Sequence, residues 1–301
     1  MNFIRDYSLY LGWGSGKGRE GILVKGLQIE FDINKVVSNQ LTPSVSKVRV
    51  FNLNRDQSAA LQGEAIDIRL LVGYVGQPLV EVLLGRAKEV STKKQGADII
   101  TELVVAEGFG ILNNTSVFGT IPGGKTLRDV IVEVAKQAGM TINRIDSGRA
   151  DTQLLWGYPL EGTPRQILEE ICFSYQLDYS ISGNALLVKD SGSISNDQQL
   201  AIVLNEDTGL LGIPEADYWK ETAFVPNEKG KSKKVKKTVD GIKVRALLNP
   251  AATPGAVLRL ERKTQDEIPN GWYYITSADY TGSFNGQAWE MTLQCVRIEH
   301  E

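Results

Sequence analysis

Glycines and prolines punctuate the last third of this 301-residue chain at short intervals, as they do between the strands of a β domain. Thr208-Gly209-Leu210-Leu211-Gly212-Ile213-Pro214 is followed by Leu248-Asn249-Pro250 and then by Pro254-Gly255-Ala256-Val257-Leu258-Arg259-Leu260. Gly271-Trp272-Tyr273-Tyr274-Ile275 comes next. Glycine and proline at such intervals mark the turns of a small β-barrel or sandwich. The series contains no catalytic group. At the end, Trp289, Met291, Leu293 and Cys295 alternate with polar residues, as on a strand with one buried face.

Residues 1–108 also read as β. Leu27, Ile29, Phe31 and Ile33 alternate with Gln28, Glu30 and Asp32, and Val48, Val50 and Asn52 extend a second strand. Asn54 is placed to cap a short helix, with Gly63 beyond its end. Ile66, Ile68, Leu70 and Val72 form a third strand, and two more follow near 79–91 and 98–106, joined by a turn at Lys93-Lys94-Gln95-Gly96.

Residues 109–190 change period. Leu127, Val130, Ile131, Val134, Ala135 and Ala138 have helical spacing between a capping Thr126 and Gly139. A second helix begins at Thr163-Pro164, with Gln166 completing a capping box and Ile167, Leu168, Ile171, Cys172 and Tyr175 on its apolar stripe. The first turns of the two helices align 37 residues apart, which suits either two helix–strand units or two unrelated amphipathic helices. Leu177, Tyr179 and Ile181 form a strand that turns at Gly183-Asn184 and returns through Leu186 to Val188. A polar linker is expected at 191–199. The chain is thus α+β and mainly β: a β domain (1–108), a small α/β domain (109–190) and a second β domain (191–301).

Searching for chemistry gives little. Gly12-Trp13-Gly14-Ser15-Gly16-Lys17-Gly18 imitates a phosphate loop, but Gly18 stands where the magnesium-binding hydroxyl belongs, and the next residues look extended. The single histidine, His300, is penultimate. Glu169-Glu170 and Asp266-Glu267 read as solvated faces. Cys172 and Cys295 have apolar neighbours and read as two buried thiols. Six lysines between Lys229 and Lys237 suit phosphate contacts but lack an aromatic partner for bases, so they read as a mobile loop between strands. A net charge of −3 argues against a dedicated nucleic-acid binder. No apolar run is long enough to cross a bilayer, and Met1–Asp6 lacks the apolar core of a signal peptide, so folding in the cytoplasm is expected. Trp219, Trp272, Tyr273, Tyr274, Tyr280, Phe284 and Trp289 gather in the third domain. Tyr273 and Tyr274 must face opposite sides of one strand, so one of them is expected at a subunit interface. Catalytic, cofactor and metal sites are expected to be absent.

The ordered set just described resembles the baseplate hub proteins of contractile-tailed bacteriophages, including Mu-like ones. It comprises Ile29-Glu30-Phe31-Asp32-Ile33, Val48-Arg49-Val50-Phe51-Asn52-Leu53, the two helix–strand units, Thr208 to Pro214, Leu247-Leu248-Asn249-Pro250 and the Pro254-Gly255 turn. The resemblance implies two tube-type β-barrel domains flanking the middle domain, and a homotrimer that presents six barrels to a sixfold tail tube and a threefold face to a central spike. It further implies a lumen for DNA in transit, contacts with baseplate wedge or tape-measure proteins, and a place in the virion after assembly in the host cytoplasm. A structural role and not an enzymatic one follows. The competing readings are another tail component, such as a distal tail protein, and a tail-carried cell-wall hydrolase.

Overall fold

The computed structural model describes residues 4–13, 20–36, 45–62, 66–106, 112, 115–182, 184–190, 201–226, 232–263 and 268–298, with the backbone alone for 106, 182, 219–226 and 232–239. The first part contributes β1 (Arg5–Trp13), β2 (Glu20–Val24), β3 (Ile29–Val36), β4 (Val45–Phe51), α1 (Arg55–Ala60), β5 (Asp67–Tyr74), β6 (Val80–Gln95) and β7 (Asp98–Ala106). The middle holds β8 (Val117–Ile121), α2 (Leu127–Ala138), β9 (Thr141–Asp146), β10 (Tyr158–Gly162), α3 (Pro164–Tyr175), β11 (Leu177–Ser182) and β12 (Ala185–Asp190). The last part adds β13 (Ile202–Leu204), β14 (Glu215–Pro226), β15 (Ser232–Leu247), β16 (Val257–Leu260), β17 (Gly271–Ser283) and β18 (Trp289–Arg297). The chain is mainly β, with helices confined to short insertions.

Local chemistry sets the helix limits. The three helices α1, α2 and α3 each open on a reciprocal capping box, through Asn54 and Gln57, Thr126 and Asp129, and Thr163 and Gln166. Gly139 ends α2 with φ 71°, a left-handed geometry that glycine adopts without strain. Each of α2 and α3 follows one strand and precedes another: β8 pairs with β10, and β9 and β11 flank β12. Leu127, Val130, Ile131 and Val134 of α2 join Ile167, Leu168, Ile171 and Cys172 of α3 in a core separate from that of the large sheet.

Strands from the two ends of the chain build one 13-stranded sheet, in the order β14-β15-β18-β17-β3-β4-β7-β6-β5-β1-β2, with β16 beside β17 and β13 beside β16. A single apolar cluster underlies strands from both ends. They meet where β17 lies antiparallel to β3, Ser277 opposite Val36 through Ser283 opposite Glu30. There the Phe31 ring lies over Gly282: a Cβ at Gly282 would come within 2.1 Å of the ring. The ring also meets Trp289 edge-on at 5.4 Å. Arg5 closes the junction by donating to the carbonyls of Ser283, Gly286 and Gln287, each at 2.6 Å.

β17 branches. Its first half pairs with β16 and its second with β3, and a bulge between Ile275 and Ser277 marks the change. Such a bulge bends a strand and redirects its edge. The motif Thr208 to Leu211 crosses to the edge of β15: Leu211 N donates to Arg245 O at 2.8 Å and Leu247 N to Gly209 O at 2.7 Å. Gly209 sits at φ 112° against the Leu247 side chain.

Several sequence expectations need correction. Asn52 does not continue β4; at φ 58° it leaves the strand, and its side chain bonds Asp98 and Ile99 N. Lys93 to Gln95 belong to β6, because the ladder with β7 runs to Gln95–Asp98 and leaves only Gly96 and Ala97 for the turn. Neither Tyr273 nor Tyr274 reaches a subunit surface. Tyr273 enters the main core, and the opposite face is covered too, with Tyr274 packed on Val257 and Ile298 and under the Lys189 ammonium at 4.6 Å. Gly63, Gly183 and the linker at 191–199 lie outside the described residues.

Gly282→Ala should force the Phe31 ring out of place and cost about 1–3 kcal/mol. Thermal unfolding followed by near-ultraviolet dichroism should show a midpoint lowered by roughly 2–4 °C per kcal/mol; an unchanged midpoint would mean that the ring does not rest on this glycine.

Candidate assembly interface

Among the described residues, those singled out for chemistry are not brought together. Gly12 and Trp13 end β1, and Ile22 to Val24 lie in β2, extended as expected; Gly14 to Gly18, His300 and Asp266-Glu267 lie outside the described residues. Glu169 and Glu170 sit on α3, with Glu169 3.8 Å from Arg165 in a same-helix ion pair. Among the described residues no cluster of three or more histidine, cysteine, aspartate or glutamate side chains is arranged to hold a metal ion. No helix among them is long and apolar enough to cross a membrane. Cys172 and Cys295 are free and buried in two different cores, and burial pushes both thiols up from their usual range.

The lysine-rich segment is not simply a loop. Lys233, Lys234, Lys236 and Lys237 lie in β15, opposite Val225, Phe224, Thr222 and Glu221 of β14. Lys229 and Lys231 lie outside the described residues. Alternating apolar residues, the usual strand signal, are missing from the lysine-rich segment. β18 pairs with β15 only from Gly241 to Leu247, so the nine residues Ser232–Asp240 pair with β14 alone. At about 3.3 Å per residue this ribbon runs roughly 30 Å.

Backbone edges are the other exposed resource. Among the described residues β14 and β2 terminate the sheet, and the second half of β6 pairs on one side only, with β7. Unpaired strand edges present rows of donors and acceptors that invite another strand. In β14 Tyr218 is 68% exposed, and Ile213, two residues before the strand, is 72% exposed. Leu155 and Trp156 are more exposed still, 85% and 84%. They stand on a loop held by Leu154 N to Lys125 O at 2.8 Å and Gly124 N to Leu154 O at 2.7 Å. Sequence reasoning passed over Tyr218, Leu155 and Trp156, since an exposed and a buried aromatic look alike without a periodic context.

No protein-family model matches the sequence, and no curated protein matches it. Solved structures do. A 43 kDa tail protein of prophage MuSo2 from Shewanella oneidensis is 11% identical with TM-score 0.59, over 97% of this chain and 98% of that one. A tail protein from Neisseria meningitidis MC58 is 12% identical with TM-score 0.59, over 96% of each. The E. coli c3393 protein is described as a component of the type VI secretion system with structural similarity to the T4 bacteriophage tail proteins gp27 and gp5. It is 9% identical with TM-score 0.56, over 91% of this chain and 73% of that one. The chain therefore has the fold seen in phage and prophage tail proteins along nearly its whole length.

With both thiols buried, a thiol reagent such as DTNB should titrate no cysteine in the native protein within minutes and both in denaturant; fast native labelling would contradict the burial.

Proposed function

We propose that this chain is a structural tail component, the trimeric hub of a phage-type baseplate. The observation that carries the reading is the likeness to tail proteins over almost the full length of both partners. In this reading the strands before and after the middle domain act as two tube-type barrel units, so that three chains present six units. That ring adapts a sixfold tail tube to a threefold central spike and leaves a lumen for DNA. Tube protein, spike, and wedge or tape-measure proteins are its partners, and the assembled protein resides in the virion tail. Chemically, the described residues offer packing surfaces and strand edges, consistent with a part that transmits position and force without turnover. A net negative chain does not hold DNA by counterion release, so the lumen lets DNA slide.

The test is negative-stain electron microscopy of the purified protein with its candidate spike partner, paired with sedimentation of the protein alone. Threefold rings with a central opening and six peripheral lobes are expected. A hexamer would move the assignment to another tail component. A monomer that clears purified cell wall, and loses that activity when one Asp or Glu is replaced, would make it a hydrolase.

A further inference from the structure

The large sheet contains the same arrangement twice. β4 lies between β3 and β7, β7 lies beside β6, and the first half of β6 pairs with β5. In the same way β15 lies between β14 and β18, β18 lies beside β17, and the first half of β17 pairs with β16. The match extends to residues. Lys47-Val48-Arg49 faces Val104, Leu103 and Glu102, and Lys243-Val244-Arg245 faces Gln294, Leu293 and Thr292. Each arginine reaches a glutamate on that neighbouring strand, Arg49 to Glu102 at 2.8 Å and Arg245 to Glu290 at 3.0 Å.

The irregularities correspond as well. β6 bulges between Ala87 and Glu89, and β17 between Ile275 and Ser277. At the bulge Ala87 N donates to Ile66 O at 2.7 Å, and Ile275 N to Ala256 O at 3.0 Å. Past the central strand Asn52 N donates to Ile99 O at 2.7 Å, and Leu248 N to Trp289 O at 3.1 Å. These pairs fix the correspondence: Glu89–Lys93 stands for Ser277–Thr281, and Glu215–Trp219 stands for Asp32–Val36, since Asp32 and Glu215 each lie opposite the lysine of the shared tripeptide.

One contact breaks the repetition. Beyond its bulge, β17 is paired with β3. Beyond its own bulge, β6 is paired only with β7, and β14, the counterpart of β3, only with β15 among the described residues. The two half-used edges are the two halves of a junction that the chain makes once within itself. We propose that a second copy of this chain makes it again: Glu89–Lys93 of β6 pairs antiparallel with Glu215–Trp219 of a neighbouring copy's β14. Carrying over the register of β17 on β3 puts Val90 opposite Tyr218, Ser91 opposite Asp217, Thr92 opposite Ala216 and Lys93 opposite Glu215.

The chemistry at those positions is complementary. Lys93 and Glu215 are both exposed and of opposite charge. The Asp217 carboxylate, which accepts from Gln294 at 2.9 Å within the chain, has a second acceptor oxygen for the Ser91 hydroxyl of the neighbouring copy, at the position where Asn34 donates to Asp279. Tyr218, 68% exposed in the single chain, is covered beside Val90. In this correspondence Pro214 stands at the Phe31 position and Lys94 at the Gly282 position, so no equivalent of the ring over a glycine forms. The contact between copies therefore lacks the ring-on-glycine lock and is the weaker of the two kinds. This inference rests on the hub reading and specifies how the ring closes: the belt runs through β14, β15, β18, β17, β3, β4, β7 and β6 of each copy, eight strands per chain, with β5-β1-β2 and β16-β13 branching off it.

Double-cysteine variants test it in the full-length protein, whose own cysteines are buried. Val90→Cys with Tyr218→Cys, and Ser91→Cys with Asp217→Cys, place thiols on opposed residues of an antiparallel pair, within disulfide reach in at least one of the two. Lys93→Cys with Tyr218→Cys is the out-of-register control. After oxidation, at least one registered variant should run as a covalent trimer on a non-reducing gel, while the control should not. Lys93→Glu should raise the trimer dissociation constant about fivefold, and adding Glu215→Lys should restore it. A wild-type trimer by light scattering with no cross-link in either registered variant would overturn this edge assignment and leave the hub reading standing. A wild-type monomer without cross-links at any concentration would overturn both.

Discussion

Seven residue pairs between β3 and β17 hold together parts of the chain about 250 positions apart, and the rest of the architecture depends on them. A backbone ladder alone would allow register slips, and a slip of one residue would exchange the buried and exposed faces. Here the register is pinned by shape, because only a glycine admits the Phe31 ring at Gly282. It is pinned again from outside by Arg5, whose guanidinium gathers the carbonyls of the β17–β18 turn and lies 5.6 Å from the Trp289 ring. Gln28 adds bonds to Ser283 and to the Asn285 amide. The first strand, the third and the last hairpin therefore set as one unit.

Because that unit is continuous, its ends and branch points decide what the molecule can join. The middle segment brings its own core and packs onto the sheet through β12, where Lys189 lies over Tyr274. It leaves the edges of β6 and β14 unpaired among the described residues, and it presents Leu155 and Trp156 on a loop braced by backbone hydrogen bonds. A rigid frame with open strand edges suits a component that works by fitting between neighbours. The same fold recurs in prophage tail proteins at 11–12% identity, since such a frame depends on pattern and register more than on particular side chains.

How much of this was legible in the sequence depends on how local the cause is. Thr126, Gly139, Thr163 and Gln166 act within a few residues of themselves, and they were read as caps from sequence. Strand alternation around Ile29 to Ile33 and Trp289 to Cys295 was visible for the same reason. The β3–β17 pairing has no local signature, because neither partner sequence contains the other's register. Tyr273 and Tyr274 were misjudged because alternation predicts opposite faces but not that both faces are covered. The strand at Lys233 to Lys237 carries no alternation of apolar residues, so nothing in its sequence marks it as a strand. The longest identical run between the aligned strands of the internal repeat is Lys-Val-Arg at 47–49 and 243–245, too short to stand out before the bulges and cross-strand bonds align around it.

Amide hydrogen exchange of the dissociated chain and of the assembled ring tests the account most directly. Amides of Ser277 to Ser283 should be strongly protected in both states, as part of a junction formed within the chain. Amides of Glu89 to Lys93 and Glu215 to Trp219 that point away from their own hairpin partners should exchange quickly in the dissociated chain and slowly in the ring. If assembly left those edge amides unprotected, or if Ser277 to Ser283 exchanged as fast as they do in the free chain, the claim that one junction is used both within and between copies would be wrong.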